Sequence, residues 1–356
     1  METQSNKIDF SNQNIYVGFD VHLKSWKVTV MTEKTTYKTF SQDPRPDLLH
    51  QYLKNNFPGG TYHSAYEAGF SGYWIHNKLL SLGIESIVVN PADIPTTNKE
   101  KVNKEDKRDS RKIARSLRSG ELTPIHVPSL KTLEDRSLLR TRSILVKDLT
   151  RYKNRVKSFL YFHGIFIPDS FCNSNCHWSN RFVKWLESIK LTEESGQIAL
   201  ATLIAEIKHL RKSTLDITMQ IHALSKTIAY EEDVKLLRSI PGIGILTAMT
   251  ILTELETVIR FGNLDKLCSY IGLVPSTNSS GEKERTGDIT PRGHNALRSA
   301  LVESAWITVR HDRVLLKCYN EYCKRMEPNK AIIRIAKRLL SRIRFVLINK
   351  KPYVCF

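Results

Sequence analysis

Between Ile15 and Phe40 three short runs follow one another almost without a break: Ile15–Phe19, Trp26–Thr32 and Thr35–Phe40. They are rich in Val, Thr and aromatic residues, and the links between them are tight. A meander of three strands is the reading this imposes, so the N-terminal part of the chain must build a sheet. The continuation supplies more of it. Leu48–Asn56 has helical periodicity and is stopped by Pro58-Gly59-Gly60. Thr61–Tyr66 is a fourth strand, Gly72–Leu82 an amphipathic helix ended by Gly83, and Glu85–Asn90 a fifth strand broken by Pro91. Residues 99–118 hold nine Lys/Arg and four Asp/Glu. From about Lys104 their spacing predicts a helix with Ile113, Ala114 and Leu117 on its apolar side.

The order β-β-β-α-β-α-β-α resembles that of a ribonuclease H-like domain. Two of its strands end on an acid, Asp20 and Glu67, and Asp106 and Asp109 stand i, i+3 on the late helix, on one face. Any one of these acids alone reads as a solvated carboxylate. Together they differ, because such a sheet sets its first strand beside the strand that follows the first helix, with the late helix across their ends. Four converging anions need cations between them. Hard oxygen ligands suit Mg²⁺, with Mn²⁺ as the alternative, and two ions about 3.5–4 Å apart stabilise both oxygens of a phosphoryl transfer.

Further on, Leu130–Phe162 and Glu193–Tyr230 carry long helical patterns that could pair as an antiparallel coiled coil or belong to an ordinary bundle. The stretch 165–190 between them is aromatic and irregular. Near Val234 a third region begins, giving segments 1–128, 129–233 and 234–356. Its Pro241-Gly242-Ile243-Gly244 lies between two helical patterns. Gly242 and Gly244 there would either offer N–H groups to a phosphate, as in a helix-hairpin-helix, or form a plain αα-turn. Ser276–His294 reads as a polar loop with Ser279-Ser280-Gly281 followed by Lys283, Arg285, Arg292 and His294. A serine hydroxyl attacking phosphorus needs activation and nearby positive charge, and a following glycine lets the backbone approach DNA. A flexible surface loop is the simpler reading of the same residues.

The formal charge of +18 points to a polyanionic partner, nucleic acid, whose binding releases counterions. Six cysteines without a framework spacing fit a reducing compartment. No stretch approaches the ~18 apolar residues of a membrane span, and Met1–Asn14 has no apolar leader pattern. The expectation is a cytoplasmic, nucleoid-associated protein with no membrane partner.

Four quoted segments carry a family resemblance. "VGFDVHLKSWKVTV" looks like an opening Gly-Ile-Asp-hydrophobic-His-Lys strand. "YEAGFSGYW" looks like Glu-Ala-Thr-Gly-x-Tyr, and "NKEDKRDSRKIA" like Lys-x-Asp-x-x-Asp-Ala-x-x-Ile-Ala. The long segment from Ile240 to Trp306 is similar to a C-terminal transposase domain. In this order they resemble the DEDD transposases of the insertion sequence 110/1111 group, the bridge-RNA-guided serine recombinases, whose relatives include pilin-gene invertases. Gly69 and Ser110 depart from the family's Thr and Ala without removing an acid.

The resemblance implies an α/β N-terminal RuvC/ribonuclease H-like domain, an α-helical coiled-coil middle and a mainly α transposase domain with a helix-hairpin-helix-like PGIG turn. It implies that Asp20, Glu67, Asp106 and Asp109 are catalytic metal ligands, and that Ser280, or its neighbour Ser279, is a nucleophile forming a phosphoserine–DNA intermediate. It implies donor and target DNA, a structured bridge RNA, and a homo-oligomer, dimer to tetramer, in which one subunit's acids meet another's serine. Candidate nucleic-acid contacts are Lys24, Lys107, Arg108, Arg111, Gly242, Gly244, Gly281, Lys283, Arg285 and Arg292. The competing readings are a metal-only junction-resolving nuclease, a DNA invertase of the same family, and a non-catalytic nucleic-acid-binding protein.

Overall fold

The computed structural model describes residues 9–95, 106–171, 173, 176–280 and 283–355, with backbone alone for 106–107, 277–280 and 283–286. Gly281 and most of the charged run before Asp106 therefore lie outside the described residues. The chain divides into two compact units, Met1–Val127 and Pro128–Phe356.

The first unit is a five-stranded sheet with helices on both faces. Its strands are β1 (Asn14–Val21), β2 (Trp26–Met31), β3 (Thr36–Gln42), β4 (Thr61–Glu67) and β5 (Glu85–Val89), in the order β3-β2-β1-β4-β5. The meander is antiparallel, whereas β4 joins β1 in parallel and β5 joins β4 in parallel. The helices are α1 (Pro46–Asn56), α2 (Trp74–Ser81) and α3 (Asp106–Arg118). Period-two alternation sorts the strand residues between the faces. Ile15, Val17 and Phe19 pack with Leu49, Leu53, Ile75 and Leu79 of α1 and α2. On the other face Ala65 and Val89 pack with Ile113 of α3.

Gly18 explains how closely α3 lies on the sheet. A Cβ built there would meet Ala114 N at 2.2 Å and Ser110 O at 2.4 Å. The helix backbone therefore rests directly on β1. Buried Ser110 fits the same contact, with its Oγ 2.9 Å from Thr29 Oγ1 on β2. β1 runs further than Phe19, so Asp20 is an internal strand residue opposite Lys27 rather than the residue after the strand.

The second unit is mainly helical: α4 (Leu130–Phe162), α5 (Asn180–Ser188), α6 (Glu194–Leu224), α7 (Glu231–Arg238), α8 (Ile245–Leu255), α9 (Leu264–Ile271), α10 (Asn295–His311), α11 (Arg313–Cys323) and α12 (Pro328–Asn349). The two long helices, α4 and α6, lie antiparallel as an arm. The second ends at Leu224 rather than Tyr230, because Ser225 and Thr227 turn their hydroxyls back on the carbonyls of His222 and Leu224. Leu139 and Ile221 at the base of the arm share one apolar core with Ile251, Leu301 and Leu339, so the regions on either side of residue 234 are one body. At the far end Val156, Leu160, Phe182, Leu200 and Ile204 form a second core. Between these two cores α4 has no buried residue from Arg140 to Arg155, and α6 none from Arg211 to Gln220.

The polar segment expected as a loop after Pro275 is a two-stranded ribbon, β6 (Pro275–Ser280) and β7 (Lys283–Ile289). Ser280 pairs with Lys283, so the connection has two residues. Residues 276–288 are all polar or glycine, so no hydrophobic alternation marks the strands and their pattern reads as loop.

Candidate active site: an acid edge and a serine ribbon

The parallel register of β1 and β4 sets Phe19 opposite Tyr66. One step further, Asp20 and Glu67 stand on neighbouring strands about 4.8 Å apart in the backbone. Both alternate with residues of the α3 face, Gly18 and Ala65. α3 runs antiparallel to β1: Ser110 and Ala114 lie over Gly18, and Arg118 Nη1 donates to Thr32 O, just past β2, at 3.5 Å. From Gly18 to Asp20 is roughly 6.6 Å of strand, equal to about four residues of helix at its 1.5 Å rise. The first turn of α3, with Asp106 and Asp109, is therefore level with Asp20. So the fold brings Asp20, Glu67 and Asp109 to one sheet edge, and the backbone of Asp106 begins the helix that reaches it.

Two cationic or proton-bearing groups sit among these carboxylates. His22 Nε2 lies 3.0 Å from Asp20 Oδ2, and Lys112 Nζ lies 3.9 Å from Asp109 Oδ1. Lys112 is 9% exposed, unusual for a lysine, and its position against the acids accounts for that burial. Among the described residues no set of three such side chains is already closed around a point. The donor set is nonetheless one of hard oxygens on a rigid edge, which fits Mg²⁺ or Mn²⁺. His22 is absent from the sequence-based site residues, although the motif "DVHLK" displays it two residues after Asp20.

The ribbon's base is fastened in three ways. Gly272 and Gly293 cross at van der Waals limit: a Cβ on Gly293 would fall 2.6 Å from Gly272 Cα. His294 N donates to Ile271 O at 3.1 Å and Thr290 N to Val274 O at 3.0 Å. Arg298 Nη1 donates to Thr290 O at 2.6 Å and to Gly272 O at 3.3 Å. Ser279, Ser280, Lys283 and Arg285 all lie on this ribbon, with Asn278 opposite Arg285. Arg292 follows β7 and is exposed.

Beneath the base lies a buried ionic cluster that sequence spacing does not reveal. Glu254 on α8 is 3% exposed. Arg140 grips it through Nε at 2.8 Å and Nη2 at 2.9 Å, and Arg136 Nε is 3.1 Å away. His294 Nδ1 accepts from Leu297 N at 3.3 Å, so Nε2 carries the proton and donates to Glu254 Oε2 at 3.1 Å. Burial alone would raise the Glu254 pKa, but the hydrogen bonds and charges of His294 and Arg140 outweigh it and hold the carboxyl down at about 2. The ordinary value is 4.5, so this stabilisation is complete above that pH and is lost as pH falls from there toward 2. It amounts to roughly 3 kcal/mol at most. Glu254→Gln is expected to flatten the dependence of the urea midpoint on pH between those limits, relative to the unaltered protein.

The PGIG turn joins α7 to α8. Gly242 has φ +88°, and a Cβ there would meet Ser304 O at 2.6 Å. Thr308 Oγ1 also donates to Pro241 O at 2.6 Å. Gly242 is thus required by packing on α10, whereas Gly244 is exposed at the start of α8. Lys24, Arg108 and Arg111 are exposed in the first unit, Lys24 just beyond β1 and the arginines on α3. Lys107 lies on α3 with its backbone alone described.

Comparison with known proteins matches both units. Residues 17–165 match the IS110 DEDD family described as Transposase. Residues 234–320 match the Transposase IS116/IS110/IS902 family. The chain is 33% identical over 246 residues to the y4qE protein of Sinorhizobium fredii, named as a transposase, covering 68% of this chain and 57% of that protein. It is 28% identical over 252 residues to the transposase for insertion sequence element IS1533 of Leptospira borgpetersenii, covering 68% and 70%. It is 25% identical over 299 residues to the transposase for insertion sequence element IS1111A of Coxiella burnetii, covering 81% and 78%.

Proposed function

Because the chain belongs to the IS116/IS110/IS902 family of transposases, we propose that it cuts and rejoins DNA for an insertion sequence, using the acid edge and the serine ribbon together. The observation that carries this reading is the arrival of Asp20, Glu67 and Asp109 at one sheet edge under the first turns of α3. Asp20, Glu67, Asp106 and Asp109 would hold the divalent cation, Mg²⁺ or Mn²⁺. When bound, it supplies charge stabilisation at the phosphate oxygens. Ser280 is the nucleophile, with Ser279 as the neighbouring alternative. Its Oγ–P bond forms as one P–O bond of the DNA strand breaks; the serine loses its proton and the departing sugar oxygen gains one. Lys283 is the backbone partner of Ser280 across the ribbon, which supports a cation for the same phosphate. Rejoining runs this exchange in reverse with a second DNA end.

The acids and the serine belong to different compact units. This supports an assembly of two to four copies in which one subunit's acids act with another's serine. The net charge of +18 supports a polyanionic ligand, and the proposed guide is a structured bridge RNA that pairs with donor and target DNA. RuvC-like architecture for the first unit, and a cytoplasmic site at the nucleoid, belong to the same reading. Among the described residues no helix is long and apolar enough to cross a membrane.

Ser280→Ala and Ser279→Ala decide the chemistry. On labelled donor DNA with its RNA, the protein and Ser279→Ala should form an adduct that survives denaturation, and Ser280→Ala should form none. Continued cutting by Ser280→Ala would favour the metal-only nuclease. Sequence-specific recombination without RNA would remove the guide from the mechanism.

A further inference from the structure

The net charge is concentrated at one end of the chain. Arg313–Lys351 holds twelve Lys/Arg against two acids, more than half of the total excess. Within it, α12 carries Lys330, Arg334, Lys337, Arg338, Arg342 and Arg344 and no acid. One side of this helix is buried through Ala331, Ile332, Ile335, Leu339, Ile343 and Val346. At 3.6 residues per turn, Lys330, Arg334, Lys337 and Arg338 share the opposite stripe, Lys337 pairing with Asp265 at 3.1 Å, while Arg344 at its flank donates to Gly262 O at 2.8 Å.

From these features we infer that α12 is a phosphate-tracking face that holds the backbone of the DNA strand to be cut, an inference that rests on the function proposed above. Three observations support it. The helix is about 33 Å long, close to one turn of duplex DNA. Arg334 and Arg338 are pre-oriented by Tyr322 of α11: their guanidinium carbons lie 5.9 and 5.7 Å from its ring centre, and Arg338 Nε donates to its hydroxyl at 2.9 Å. Lys330 Nζ lies 3.5 Å from Asp288 Oδ1 on β7, so the stripe begins beside the serine ribbon. That pair is exposed on both sides, and such a contact yields readily to a phosphate.

A merely solvating surface does not account for the pattern. Lys330/Arg334, Arg334/Arg338 and Arg338/Arg342 are like charges at i, i+4, each of which destabilises a helix by a few tenths of a kcal/mol. Solubility is served as well by mixed charges. DNA rather than RNA is the assigned occupant because the stripe is continuous with the ribbon that bears Ser280.

The test is a salt titration of binding by the full-length protein to a fluorescent duplex DNA of arbitrary sequence, read by anisotropy. Arg334→Gln/Arg338→Gln should lower the slope of log affinity against log salt by about two, equally for unrelated sequences. Its thermal midpoint should match the unaltered protein. A charge-matched control on the arm and α5, Lys147→Gln/Lys184→Gln, should keep the full slope. An unchanged slope, an equal loss in the control, or a loss confined to an RNA duplex of the same length would each overturn the inference while leaving the transposase reading intact. Failure of the unaltered protein to bind any DNA would overturn both.

Discussion

Asp20→Asn is expected to abolish DNA strand cleavage, by at least ~10³-fold, without unfolding the protein. The size follows from the several kcal/mol that a bound cation contributes to a phosphoryl-transfer transition state. The retained fold follows from the geometry. Asp20 joins the sheet through backbone pairing with Lys27, which asparagine keeps, and its side chain is 21% exposed. His22, 3.0 Å away, can still hydrogen-bond to the amide oxygen. A cleavage assay and a thermal melt on the same preparation check both halves. Binding to uncut DNA without divalent metal should tighten slightly, because one carboxylate that repels phosphate is gone. Full cleavage by Asp20→Asn would remove the acid edge from catalysis and return the first unit to a binding role.

Gly18→Ala should instead lose activity by losing structure. Replacing a strand glycine by alanine is normally neutral or favourable, since alanine restricts the unfolded chain. Here the added methyl would fall 2.2 Å from Ala114 N and 2.4 Å from Ser110 O. Both are helix backbone, so no side-chain rotation relieves the clash, and α3 must lift off the sheet. Overpacking against side chains costs about 1–3 kcal/mol; against backbone the upper end or more is expected. For a unit of this size that lowers the melting midpoint by about 10 °C. Activity falls with it, because Asp106 and Asp109 ride on α3. Calorimetry separates the two variants: Asp20→Asn melts normally and Gly18→Ala does not.

The first unit was the most readable part of the chain. Its strands are buried on one or both faces, so Ile15, Val17 and Phe19, or Val28 and Val30, repeat with the period of the pleat. The long helices were equally plain, and Leu130–Phe162 begins and ends where its apolar spacing does. Asp20 and Glu67 could be picked out because acids are uncommon at the ends of apolar runs. What stayed hidden depends on contacts distant in sequence. Glu254 meets Arg140 and His294 from 114 and 40 residues away, and nothing local marks it. The ribbon was hidden because residues 276–288 are polar or glycine throughout and carry no apolar alternation. Gly242 was ambiguous because a close approach to α10 and a close approach to a phosphate demand the same residue.

The arm between its two cores has one further consequence. A lever transmits force only as well as its least packed section. From Arg140 to Asp148 on α4, before Leu149 and Tyr152 join the outer core, and from Lys212 to Gln220 on α6, no residue is buried. Contacts such as Arg142 Nε to Thr218 Oγ1 at 2.8 Å stand there in place of a buried apolar seam. Bending there breaks few contacts, whereas bending at either end opens a core. The arm therefore has a built-in elbow about halfway along. Its outer end can change direction while the base, with Leu139 and Ile221 locked beside the helices that carry the ribbon, keeps its alignment.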